Sequence, residues 1–242
     1  MKVNNTQDLG SVRSVVFPIR NSELRKFLPL ALIFVLISLV YSLARSLKDM
    51  IILDDAGAAA IYFLKLFGIT PSMIIFTILY SKVSTVTNRD GRFNAVMIYF
   101  LVFFTFSLLF LLPHKDSLKL VGFADTMTAH FPRFVGLWQI IALWPVTLFY
   151  IHAEAWGTFA LGVSFWTLAN EVTSIEQAKR FYGALGLFAA IGPMGAGSIL
   201  RLEKVRTNFS YGLTFVIFSV VLILVLYNYF ARDMRIDRKS VV

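Results

Sequence analysis

The run FLPLALIFVLISLVYSLARSLKDMII, residues 27–52, decides the fold class. Phe27–Ala44 carries no charge, and its length approaches the roughly 20 residues that cross about 30 Å of hydrocarbon. Pro29 falls in the first turn, where a missing N–H is tolerated. The run then acquires Arg45, Lys48 and Asp49 before it has left the apolar pattern. Charges there are either anchors in the wet interface or the wall of a binding site.

The rest of the chain has the same character. Of 242 residues, 57% are hydrophobic and 15% charged, whereas soluble domains carry about 25% charged residues. The mean hydropathy is +0.72. The expected fold is therefore an all-α transmembrane bundle. The net charge of +9 implies no nucleic acid, because Lys and Arg accumulate in the cytoplasmic loops of membrane proteins. The absence of cysteine excludes disulfides, thiolate metal sites and cysteine nucleophiles.

Hydropathy places six spans at about 27–47, 58–83, 93–112, 143–170, 182–200 and 209–230. They are flanked by a cytoplasmic segment 1–26 and a basic cytoplasmic tail 231–242. Residues 136–170 are too long for one span. They read either as one helix from about Leu143 preceded by an interfacial segment, or as two short helices. Nothing at 150–157 resembles a turn, which favours the first. With both ends inside, cytoplasmic segments hold 14 of the 23 Lys and Arg and the opposite segments seven, the bias expected of that orientation. Placing two helices in 136–170 would turn the tail RDMRIDRKS outward.

Arg45, Lys48, Lys65, His152 and Glu154 lie in spans or at their edges. An ionised group at the bilayer centre costs at least about 2.5–3.5 kcal/mol, so such groups usually face a protein interior or a watery cavity. At about 1.5 Å per residue, Lys48, Lys65 and Glu154 fall at related heights in the outer half of the membrane. Tyr41, Arg45 and Lys48 share a helix face, and Asp49 is four residues from Arg45, within reach of its guanidinium. A basic set with one acid suits an anionic solute such as a phosphate chain, the acid pairing with a lysine while the site is empty. For Lys48 and Arg45 the competing reading is snorkelling to the interface.

The fifth span, YGALGLFAAIGPMGAGSIL, carries the small pairs Gly186/Ala190 and Gly192/Ala196, which permit close helix approach. Pro193 among them is a candidate kink. No Walker loop, HExxH motif or nucleophile elbow is present, so the sequence offers no residues for an enzyme reading and implies no cofactor.

The strings LARSLKDMIIL (43–53), FLKLFGITPSMIIFTILYSKVS (63–84) and AEAWGTFALGVSFWTLANEVTSIEQAKRFYGALGL (153–187) resemble the ATP/ADP translocases of plastid envelopes and obligate intracellular bacteria. The most specific series is Glu154, Trp156, Gly157, then Phe165, Trp166, Ala169, Asn170, Glu171, then Ala178–Tyr182. The resemblance implies a major-facilitator-like fold of two six-helix halves, of which these spans match the N-terminal one. It implies exchange of ADP for ATP by alternating access in a bacterial inner membrane. It also assigns importance to Lys48 of the KD pair and to Glu154 of AEAWG. The expected nucleotide-contacting residues are thus Lys48, Glu154, Lys65, Arg45, Asp49 and Asn170. The expected partners are ATP, ADP or a related nucleotide, the lipid bilayer, and a second six-helix half or a homodimer mate. Proton-coupled import of other nucleotides or anions, and a non-transporting six-helix partner protein, are the alternatives.

Overall fold

The computed structural model describes residues 18–240; residues 1–17 of the expected N-terminal segment and 241–242 of the tail lie outside them. Helices and helical turns make up the fold, with no strand among the described residues. Four helical runs are long and apolar enough to cross a membrane: Asn21–Val86, Asp90–Leu111, Ile175–Leu200 and Phe209–Phe230. A pair, Pro132–Ala142 and Trp144–Val172, meets the same criterion only when taken together and is bent by 78°, making a fifth if the two count as one span. The chain is an all-α transmembrane protein.

The first run has 66 residues, about 100 Å at 1.5 Å per residue, three times the hydrocarbon thickness. It is not one straight span. Helix α1, Leu24–Phe63, is broken at Gly57, where φ is 73° and ψ 174°. This is the one positive φ among the described residues, and a side chain would strain it. The outer connection expected at 48–57 is therefore helical as far as the break. Beyond it the chain passes through a π-helical segment, Leu64–Ile69, into α2, Thr70–Val86.

Helix α3, Arg89–Phe106, starts on a cap: the Asn88 side chain accepts from the Gly91 N–H at 2.9 Å. It ends in a second π segment, Ser107–Leu111. Two short helices follow, α4 (Lys115–Leu118) and α5 (Val121–His130), where a loop was expected. Helix α6, Val135–Ala142, then meets α7, Trp144–Trp156, at the 78° bend. Pro145 sits in the first turn of α7, where its missing N–H is harmless. From α7 the helix continues through a nine-residue π segment, Gly157–Phe165, into α8, Trp166–Val172. No turn interrupts 144–172.

Helix α9, Ile175–Ala189, begins with a capping box between Ser174 and Gln177. It stops one residue before α10, Ile191–Leu200. The break at Ala190 follows from Pro193, which cannot donate to the carbonyl four residues back. A short α11, Glu203–Thr207, leads to α12, Phe209–Ser240, which runs past the expected boundary at Phe230.

Helix α1 is the central element, and large buried side chains lock α7 and its π extension onto it. Trp156 is fully buried, and its indole N–H donates to the Ile37 carbonyl at 3.1 Å. Phe34 stacks on Phe165 with centroids 4.0 Å apart. Phe100 of α3 meets the edge of Trp156 at 5.2 Å. Exposed apolar residues such as Ile74, Ile75, Val102 and Phe218 are ordinary for helices surrounded by lipid.

Ion pairs pin the ends of the bundle. Near the Gly57 break, Asp55 is largely buried and accepts from Lys115 at 2.6 Å and Lys119 at 3.3 Å. It clamps α4 to the end of α1. Lys119 also pairs with Asp116 at 2.6 Å. That hydrogen bond is the main reason the Asp116 carboxyl is held below its usual range. A depressed carboxyl contributes stability above its ordinary pKa and loses it as pH falls through the lowered value. Asp55→Asn is expected to destabilise the fold by about 1.5–3 kcal/mol, the range for hydrogen bonds to charged groups. Thermal unfolding of the purified protein checks this, and an unchanged midpoint would dismiss the clamp.

Candidate functional site

The site is built where α1 and α7 cross. Lys48 lies about 13 Å before the Gly57 break along α1 and Glu154 about 15 Å into α7, at 1.5 Å per residue. Lys48 is only 3% exposed, yet its ammonium is satisfied. Its Nζ lies 3.0 Å from Glu154 Oε2 and 2.9 Å from Asp49 Oδ1, and 3.7 Å above the centre of the Tyr150 ring. Two carboxylates and one aromatic face therefore account for the three N–H directions of a lysine. Glu154 and Asp49 themselves are 39% and 40% exposed. The cation is sealed in the protein while both acids stay partly exposed.

Helical spacing explains the trio. Tyr150 and Glu154 are four residues apart on α7 and present one face. The widening to π geometry begins immediately after, at Gly157. A Cβ on Gly157 would lie 2.6 Å from Tyr41 Cε2, so the missing side chain lets α1 approach at this level.

The other expected residues are placed differently. Asp49 pairs with Lys48, not with Arg45; the exposed Arg45 guanidinium instead donates to the Tyr41 hydroxyl at 3.4 Å. The ammonium is simply nearer. Lys65 is exposed and forms no ion pair among the described residues. The nearest α7 side chain to Gly68 is Ile151. Lys65 therefore stands about 9 Å along the axis from Glu154, two three-residue steps at 1.5 Å per residue. Asn170 is 16 residues beyond Glu154, about 24 Å away, and accepts from the Tyr182 hydroxyl at the far end of the bundle. Lys48, Asp49 and Glu154 come together; Arg45, Lys65 and Asn170 do not join them.

His152 faces away from the cluster. Leu148's carbonyl can only accept, so the 2.8 Å contact assigns the ring proton to Nδ1. Nε2 is hydrogen-bonded to the Tyr99 hydroxyl at 2.7 Å, and Phe103 stacks on the ring at 3.6 Å. The histidine ties α3 to α7. Tyr150 escaped the sequence reading, although its position one turn before Glu154 carried the signal.

This charge arrangement can be set beside known proteins. A family model described as the TLC ATP/ADP transporter matches residues 2–240. The chain belongs to the TLC ATP/ADP transporter family. Among this family member's curated relatives, the ADP,ATP carrier protein 1 of Chlamydia muridarum is 37% identical over 207 residues, 84% of this chain and 39% of the relative. The ADP,ATP carrier protein 1 of Rickettsia bellii is 36% identical over 182 residues, 75% of this chain and 36% of the relative. The ADP,ATP carrier protein 3 of Rickettsia conorii is 35% identical over 190 residues, 78% and 38% respectively. This family member thus spans about two fifths of the length of the carriers it matches. No solved structure matches it.

Proposed function

We propose that this chain supplies the N-terminal, six-span half of a nucleotide transporter that exchanges ADP for ATP by alternating access. One observation carries the proposal: a buried lysine inside an apolar helical run is held by carboxylates from two helices, and both carboxylates stay partly exposed. An incoming polyanion takes the place of the carboxylates beside the lysine, so binding exchanges one set of charge contacts for another. A structural ion pair would bury both partners, whereas Glu154 and Asp49 stay about 40% exposed. Arg45 and Lys65, exposed and without an ion pair among the described residues, extend the positive field toward the solute. The facing wall comes from a second six-span unit, either a further half or a second copy, in the arrangement where solute binds between repeats. Lysine and arginine bias supports an orientation with both ends in the cytoplasm.

Transport assays decide this. Proteoliposomes carrying the full-length protein and loaded with ADP are expected to take up labelled ATP, and unloaded vesicles are not. Uptake that ignores internal nucleotide but collapses with a proton uncoupler would replace exchange with proton-coupled import. No nucleotide uptake under either condition would remove the reading.

A further inference from the structure

We infer that the chain carries a binding groove for an anionic phospholipid, with an acyl chain between α2 and α3 and the headgroup at Lys82. A cavity of about 260 Å³, open along one side, is lined by Phe76, Leu79 and Val83 of α2, Ala95 and Val96 of α3, and Phe159. The α2 residues recur at helical spacing and form one continuous wall. Almost no polar surface lines the groove, which lies wholly within runs long and apolar enough to cross a membrane.

Its position identifies the occupant. Glu154 reaches α1, while His152, two residues earlier and about 200° around the helix, reaches the other side. There it meets Phe76 at 5.2 Å and Tyr99 at 2.7 Å. Phe76 in turn packs against Phe159 at 5.8 Å. The groove therefore lies behind α7, on the face opposite the charged cluster. The second six-span unit stands in front of that cluster, which leaves hydrocarbon to cover the groove. The end of the groove at Val83 leads to the basic stretch 82–92. There Arg92 is spent on Glu171 at 3.0 Å, while Lys82 is exposed and its side chain has no ion pair among the described residues. A lysine at a helix end beside an apolar cleft matches a lipid phosphate above its acyl chain.

The test is lipid retention by the purified full-length protein, measured by native mass spectrometry after detergent exchange, without nucleotide. The placement of the second unit rests on the proposed function, but retention is read without transport, so the two readings fail separately. Phosphatidylglycerol is expected to stay bound about tenfold better than phosphatidylcholine of the same chains, a difference of 1.4 kcal/mol. Ala95→Leu and Val83→Phe, which fill the groove from opposite walls, are each expected to reduce retention about tenfold with helix content unchanged. Lys82→Ala, at an exposed position, is expected to abolish the preference between the two lipids. Equal retention of both lipids by the wild type overturns the inference, as does undiminished retention by either folded groove-filling variant. Should neither fold, a preference that survives Lys82→Ala overturns it.

Discussion

Lys48→Ala is expected to reduce nucleotide uptake at least about a hundredfold, a change equivalent to about 2.8 kcal/mol. Among the described residues, the ammonium is the single cation that touches Glu154, Asp49 and the Tyr150 ring. Removing it leaves two carboxylates facing one another with nothing between them. Breaking a buried ion pair costs about 3–5 kcal/mol, because the surviving charge stays uncompensated. Both acids here are about 40% exposed, so water relieves part of that penalty. The variant is therefore expected to fold with lowered thermal stability while transport is lost.

Companion variants separate the charge from the packing. Lys48→Ala combined with Glu154→Gln is expected to regain thermal stability without regaining uptake. Exchanging the two residues, Lys48→Glu with Glu154→Lys, is expected to fail as well. It sets a second carboxylate beside Asp49 and over the negative face of Tyr150, so a simple pair is not restored. ADP/ATP exchange by the Lys48→Ala protein within threefold of wild type would remove Lys48 from the mechanism.

How much of this was readable from the residues depended on whether a signal was local. Apolar runs at span length gave the membrane fold, since hydrophobicity is a property of each segment alone. The long helix through 144–172 was legible because no turn residues interrupt it. Lys48 and Glu154 were legible because an ionised group at membrane depth needs a partner, and each supplied the other's. The partner of Asp49 was not legible. Spacing on one helix offers Arg45 at i−4, but the ammonium next door, held in place by Tyr150 and Glu154 from another helix, wins. Lys65 was placed by counting from the end of its span. The real height depends on how α7 docks against Gly68, which is a tertiary fact. The clamp at Asp55 is likewise tertiary, because its partners Lys115 and Lys119 arrive from 60 or more residues away.

Gly192 separates the two small-residue pairs of 182–200, which the sequence presents as equals. A Cβ there would lie 2.6 Å from the Leu39 nitrogen, 2.7 Å from the Ser38 Cβ and 2.7 Å from the Val35 oxygen. Two of these are backbone atoms of α1 and cannot rotate aside. A Cβ on Gly186 meets nothing within 4 Å. Gly192→Val is accordingly expected to push α10 off α1 and to destabilise by about 3 kcal/mol, the upper end of overpacking. For a chain of this size that lowers the unfolding midpoint by about 6–12 °C. The displaced segment, Val35–Leu39, includes the Ile37 carbonyl that receives the Trp156 indole. Indole fluorescence is therefore expected to shift in the folded fraction. Gly186→Ala is expected to leave the midpoint unchanged or slightly raised, since alanine is the better helix former by about 1 kcal/mol. If Gly192→Val unfolds at the wild-type temperature, α10 does not rest on the α1 backbone, and close packing at 192 and 196 is not what holds these helices together.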